Sequence, residues 1–354
     1  MSLSVLLREL SGNERGDQAM ESQLSEERMK LEWHLTKACD KNGSREEARL
    51  CITNRLNQIC SHFLPHFVHA DTLAKKYQRS YTRGSTMIYM LAAFAVVVAS
   101  AQALFLPHVH FLVLIEILLI VSVIGVIKFG NYKHWHRNWQ DSRLLAERLR
   151  HAVFLAMIDQ PVVTHIAHSP FYCKKNAEHP ANKAFLEIWR NWEQKSQKFL
   201  SSNDYLTVIK DFLLNAWLED QRDWHNNNTK IHKLKHSLLS RSGEILFYLT
   251  LGAAVLHFSH IAGSLWGKWW TFLSISCPAL GAAFGAMRNH FEHNKLFRRS
   301  EQMVIQLDDI IERMRNADDM NPVRKIAEDA ERLMMGETVD WYALICSKIL
   351  DKPV

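Results

Sequence analysis

The residues best placed to do chemistry are polar groups stranded in apolar surroundings. Glu116 lies about a third of the way along Phe111 to Phe129, a run of 19 residues whose only other charge is Lys128 near its end. Gln102 lies in the companion run, Met87 to Leu106, 20 residues with no charge at all. An ionised carboxylate in hydrocarbon costs roughly 3 kcal/mol even on insertion-based scales, so Glu116 needs compensation. Two readings stay open. Glu116 and Gln102 line or gate a polar path, or Glu116 is protonated or hydrogen-bonded to Gln102 across the hairpin and is simply packed. Outside the membrane, Arg143 and Glu147 stand at the i, i+4 spacing of a helical ion pair, next to Arg148 and one turn past Trp139. Arg299 and Glu301 hold a comparable place in the second half of the chain, so Glu147 could also reach an arginine there.

Other chemistry is thinly represented. The histidines His134, His136, His225, His232, His236, His290 and His293 cluster beside the apolar runs. His290 and His293 are spaced i, i+3, but no acid or cysteine completes a metal-ligand set at convincing spacing. His257 and His260 near the end of the third run suit an interface, and Lys268, Trp269 and Trp270 suit an interface anchor. Cys39, Cys51, Cys60, Cys173, Cys277 and Cys346 form no CxxC pair and read as free thiols in a reducing compartment. There is no nucleophile elbow, phosphate loop or nucleic-acid motif. The expectation is a protein that is not an enzyme, carries no cofactor or metal, and binds no nucleic acid.

These residues must be positioned by helices. Each of the two apolar runs is close to the ~20 residues needed to cross the bilayer core, and only Pro107 to His110 separates them. Backbone groups in lipid must be paired within the segment, which makes the pair a helical hairpin. A second pair, Leu246 to Ile261 and Leu265 to Ala286, repeats the pattern. Within the spans, Ala95 and Ala99, and Gly281 and Gly285, are small residues four apart that would permit close helix approach. Pro278 predicts a hinge or a static bend. The mean hydropathy of −0.17, despite 47% hydrophobic residues among 354, requires a large polar helical part beside the spans. The fold class expected is an all-α membrane protein with two transmembrane hairpins, long stalk helices and helical cytosolic blocks.

Basic residues collect at the open ends of both hairpins and are absent from the first tip. Lys75, Lys76, Arg79 and Arg83 precede the first span, and Lys128, Lys133, Arg137, Arg143, Arg148 and Arg150 follow the second. Lys230, Lys233, Lys235 and Arg241, then Arg288, Lys295, Arg298 and Arg299, flank the second hairpin. The positive-inside rule then places both termini and the central block in the cytosol, and the net charge of +6 suits an anionic membrane surface better than a nucleic acid.

The boundaries expected are 1–69 for N-terminal helices, 70–158 for the first hairpin with its stalks, 159–219 for a loop and helical block, 220–315 for the second hairpin with its stalks, and 316–354 for C-terminal helices. Helix breaks are predicted at Asn42-Gly43, at Pro65, at Asn321-Pro322 and at Gly336, with the second span running on unbroken as a stalk and Asp159 to Asn182 as a loop. Sliding the first half onto the second by 154 residues places Glu147 on Glu301 and Leu149 on Met303, a repeat of architecture with few identities.

Several stretches carry a resemblance. ADTLAKKYQRSY (70–81), NWQDSRLLAERLRHAVF (138–154) and WLEDQRDWH (217–225), with HKLKHSLLSRSGEILFYLTLGAAVLH and PALGAAFGAMRNHFEHNKLFRRSEQM, resemble the flanked hairpins of bacterial SLATT-like membrane proteins. Trp139, Arg143, Glu147, Arg148, Trp217, Gln221, His225, Glu292, Arg299 and Glu301 are the matching positions, over roughly residues 70 to 345. The resemblance implies a membrane-disrupting or pore-forming effector of an anti-phage conflict system, in the bacterial inner membrane, whose partners are the lipid bilayer, other copies of the chain and a cytosolic sensor protein or nucleotide signal. Larger relatives carry a Rossmann-like sensing domain before the first hairpin, whereas residues 1–69 are too few and too helical for one and lack a glycine-rich phosphate loop. A non-conducting scaffold that docks a sensor partner is the alternative.

Overall fold

The computed structural model describes residues 14–160, 180–195, 205–258 and 264–346. Among them it is helical with no strand, as the sequence predicts: α1 (Glu14–Lys41), α2 (Glu46–Phe105), α3 (Phe111–Tyr132), α4 (Trp135–Met157), α5 (Pro180–Lys195), α6 (Leu206–Leu213), a π-helical turn (Leu214–Glu219), α7 (Asp220–Phe258), α8 (Ser264–Phe291), α9 (His293–Arg315) and α10 (Met320–Cys346). Four helical stretches are long and apolar enough to cross a membrane, one in each arm of the two expected hairpins. The protein is thus an all-α, multi-pass membrane protein.

Several breaks fall where local chemistry puts them. α1 ends at Asn42-Gly43, where Gly43 adopts a φ of 58° and Ser44 N–H reaches back to Cys39 O at 3.2 Å, a helix stop that only glycine makes without strain. The first hairpin turns at Pro107, with Val109 N–H on Leu106 O at 3.1 Å. Other breaks differ from expectation. Pro65 lies inside α2, which runs on for 60 residues, because Phe63, Leu64, Phe67 and Val68 around it are all buried and packing holds the helix through the lost hydrogen bond. Gly336 is likewise inside α10. Pro322 sits in the first turn of α10, where its missing N–H would be unpaired anyway. The second span and its stalk are not one unbroken helix: His134, with φ 50°, separates α3 from α4.

The chain forms two compact units. One comprises the described residues of Met1–Tyr77, Arg137–His225 and Gln302–Ser347. It is built around an apolar core in which Phe63, Leu149, Phe185, Phe212, Trp217 and Leu307 are fully buried. α4 is its central helix, buried on nearly every side from Trp139 to Met157. The carbonyl end of α4 is capped by cations: Arg55 donates to Ala156 O at 2.8 Å and pairs with the Asp159 carboxylate, and Arg324 Nε donates to Ile158 O at 3.1 Å. Such groups satisfy carbonyls the helix leaves unpaired and oppose its negative end.

The other unit comprises Gln78–His136 and Asn226–Glu301, with the terminal Lys348–Val354 outside the described residues. It holds the spans. α2 and α8 meet through small and polar residues: Ser100 and Ser276 hydroxyls lie 3.1 Å apart and buried, and Phe105 packs on Trp269 at 4.6 Å. Ala93, Ala95, Ala253 and Ala283 are buried beside them. In lipid such close packing and interhelical hydrogen bonds replace the hydrophobic drive that holds soluble helices together.

The two halves repeat in a different register from the 154-residue slide. The left-handed residues that end the second and fourth spans, His134 and Glu292, are 158 residues apart, and α4 and α9 each have 23 residues after them. In that register Ser142 falls on Ser300, Leu145 on Met303, Leu149 on Leu307 and Ala156 on Met314, and all eight are buried. The earlier alignment of Glu147 with Glu301 fails because Glu147 is inside while Glu301 is exposed.

Candidate functional site: a buried charge cluster and the membrane spans

The densest charge chemistry is on α4. Its i, i+3 and i, i+4 spacings put Arg143, Glu147 and Arg150 on one face. Arg143 Nη2 is 3.6 Å from Glu147 Oε1, and Arg150 Nη1 is 2.7 Å from Oε2. The first of these is the pair the sequence predicts; the second fills the other carboxylate oxygen from the same helix. Burial by itself would raise the Glu147 carboxyl, but Arg150, Arg143, His151 and His225 outweigh it and hold it below the usual carboxylate range. Burial works against the charged Arg150, yet Glu147, Asp71, Glu27 and Asp220 around it raise its pKa on balance.

Around this pair are groups that the spacing did not single out. His151 is 1% exposed and His225 4%. Burial pushes each down to about 4: Glu147 opposes this in both, Arg150 and Arg148 reinforce it at His151, and Arg143 and Arg150 at His225. His225, expected at a membrane flank, is therefore an interior residue. Trp217 in the π-helical turn stacks on Phe154 at 5.2 Å with rings 5° apart, and its ring centre is 5.8 Å from His151. A π turn widens the helix by one residue, which here lets Leu214, Trp217 and Leu218 all face inward. Lys30 pairs with Asp220 at 2.7 Å, and Asp71 receives Gln23 at 2.8 Å and Lys75 at 2.6 Å, so α1, α2 and α7 bring their own charges to this unit.

Arg148 does not join Glu147. It points the other way, donating to Asn182 Oδ1 at 2.8 Å with its guanidinium over Phe185 at 5.0 Å. Arg148 is part of this interior, not of a basic collar at the bilayer. Trp139 is buried as well. Arg143 lies 5.8 Å over Trp224. Arg299 and Glu301 belong to the span unit, the first half-buried and the second exposed.

Within the spans, Glu116 and Gln102 are both half-buried. No hydrogen bond joins them among the described residues, so the neutralising pair across the hairpin is not formed. Gly281 and Gly285 are not tight contacts: a methyl at Gly281 would sit 3.7 Å from Leu246 Cβ and one at Gly285 would meet nothing within 4 Å. Ala99 is half-buried. The glycine that matters is Gly84, where a methyl would lie 2.8 Å from Trp135 Cζ3.

The histidines sort into separate pairs. His290 Nε2 is 3.0 Å from the Tyr81 hydroxyl, and His293 Nδ1 is 2.9 Å from His232 Nδ1, so His290 and His293 do not converge. Among the described residues no group of three or more His, Cys, Asp or Glu is placed to hold a metal. His257 is exposed, 3.3 Å from Thr271 Oγ1, Trp266 stacks on Trp270, and His260 lies outside the described residues.

Residues 214–341 match the SMODS and SLOG-associating 2TM effector domain 1. The match covers just over a third of the chain, and over these residues the chain is similar to that family. The SLATT match runs from the π turn through α7, α8, α9 and most of α10, and it includes Trp217, Gln221, His225, Glu292, Arg299 and Glu301. Trp139, Arg143, Glu147 and Arg148 lie before it, on the stalk of the first hairpin. No curated protein and no solved structure matches the chain. The family matched is described as a two-transmembrane effector domain; the matched residues hold the second pair of spans of this chain, and a further pair precedes them.

Proposed function

We propose that the chain acts as the membrane-perturbing, pore-forming effector of a bacterial anti-phage conflict system. It sits in the cytoplasmic membrane with both termini in the cytosol, works without enzymatic chemistry or cofactor, and responds to a separate cytosolic sensor or a nucleotide signal. The observation that carries this reading is the SLATT match over the second pair of four spans, with a span of the first pair bearing a half-buried acid, Glu116, that has no hydrogen-bond partner among the described residues. An acid in that position is tolerated where water or a neighbouring copy reaches it, and a ring of such acids favours cations.

The experiment is induction of the full chain in a bacterial host while membrane potential and growth are followed. Depolarisation that precedes the loss of viability is expected. Stable insertion with neither effect, with or without candidate sensor partners, would instead favour the scaffold.

A further inference from the structure

Each hairpin passes into its second stalk through a helix break that holds neither glycine nor proline. Between α3 and α4 the break is Lys133 and His134, and between α8 and α9 it is Glu292 alone. His134 and Glu292 are left-handed, with φ 50° and 46°, while Lys133 already has helical angles, φ −79° and ψ −3°. Turning one residue in each half from left- to right-handed would therefore make span and stalk a single helix. Local preference favours that change, at Glu292 above all, because a side chain in the left-handed region crowds the following carbonyl. Such residues persist where the contacts around them over-determine the conformation, and they gather in switch regions.

The contacts that hold the two breaks meet at one side chain. Past the first break, Trp135 packs against Gly84 of α2, and the His136 ring is centred 4.8 Å from that of Tyr81. At the second break, His290 Nε2 is 3.0 Å from the Tyr81 hydroxyl, and His293 Nδ1 is 2.9 Å from His232 Nδ1 on α7. Tyr81 is buried, with its ring on one break and its hydroxyl on the other. All of these residues belong to the span unit.

We propose that the two breaks are a paired switch, each either broken as here or continuous, and that Tyr81 couples them so that both hairpins change together. Closing the first break re-aims every side chain past His134, so His136 leaves the Tyr81 ring. The phenol then loses the face that fixes it, and its bond to His290 loosens. The same coupling runs from the second break to the first, since an energetic link between two sites is reciprocal. Tyr81 is thus a positioning residue. The inference concerns the span unit alone and holds whether or not the spans conduct.

Hydrogen exchange of the full chain in detergent, followed by mass spectrometry, tests this. The first amides of a helix have no partner within it, so a break exchanges fast and a continuous helix protects the same amides. His134→Ile places a β-branched residue where the left-handed region disfavours it. It should raise protection several-fold over residues 133–138 and also over residues 291–296. Adding Tyr81→Phe, which keeps the ring and removes the hydroxyl, should leave the first gain and abolish the second. Glu292→Ile should give the mirror result, and Glu292→Gly, which frees the left-handed conformation from strain, should protect neither segment. Alanine at the same positions applies the same bias more gently where isoleucine blocks insertion. Breaks that stay unprotected in inserted isoleucine and alanine variants would be static helix ends. Protection confined to the substituted break with Tyr81 intact, or spread to both without its hydroxyl, would remove the coupling. Each of these results overturns the proposal.

Discussion

Glu147 and Arg150 sit one helical turn apart on α4 with carboxylate and guanidinium 2.7 Å from each other, and Arg143 takes the second oxygen. Two cations on one largely buried acid make it costlier to lose than a surface partner, although both arginines keep more than a quarter of their side-chain surface in solvent. Removing one partner of a fully buried pair costs roughly 3–5 kcal/mol and of an exposed pair well under ~1 kcal/mol, and this cluster lies between. Glu147→Gln should therefore lower the unfolding free energy by about 1–3 kcal/mol, measured by denaturant unfolding in detergent. Arg150→Met in the same chain should recover part of that loss, because it removes the cation left without a partner. Strictly additive damage would show that the two side chains do not act as a unit.

The buried histidines make the same unit sensitive to acid. His151 and His225 have folded pKa values of about 4, below the ordinary 6.5. A depressed histidine pKa means the fold favours the neutral ring, so this stability is complete above pH 6.5. It is lost progressively as pH falls towards 4. Each shift corresponds to on the order of 3 kcal/mol. Melting temperature should drop steadily between pH 7 and pH 5, and His151→Phe should flatten that slope. An unchanged slope in the variant would assign the acid sensitivity elsewhere.

Gly84 is expected to be the least replaceable glycine in the span unit. Gly84→Ala forces a methyl to within 2.8 Å of Trp135 Cζ3, and overpacking of this kind costs about 1–3 kcal/mol. Trp135→Leu should relieve it. Gly285→Ala, with open space around it, should be neutral or stabilising by a few tenths of a kcal/mol up to about 1. Equal effects at the two positions would contradict the packing described.

How far these features could be read from the chain depends on the distance over which they are encoded. The four spans, the Asn42-Gly43 stop and the Arg143–Glu147 pair are set by local composition and by spacing along one helix. All were legible. The halt at His134 was not, because a histidine in the left-handed region carries no glycine or proline signal. Pro65 was a false stop, since its local preference yields to the core packed around it. His225 meets Glu147 only when α4 and α7 come together, and no periodicity in either helix marks that meeting, whereas His151 stands four residues past Glu147 on α4 and its place beside the acid was open to the same spacing argument as Arg143. Glu301 looked like the counterpart of Glu147 because identities are so few that one turn of slippage goes unnoticed until buried serines and leucines fix the register.

Orientation has a direct check. Pro107→Cys, in the tip of the first hairpin, should react in intact cells with a thiol reagent that cannot cross the membrane. The native, exposed Cys51 should react only after permeabilisation. The opposite pattern would invert the topology.

Glu116 tests the central claim most directly. Purified protein in planar bilayers should conduct with a preference for cations, and Glu116→Gln, which keeps shape and removes charge, should insert equally well yet lose most of that preference and depolarise cells less. A Glu116→Gln protein with unchanged ion preference and unchanged depolarisation would contradict the account, and the acid would then be a neutral, packed side chain in a span that forms no pore.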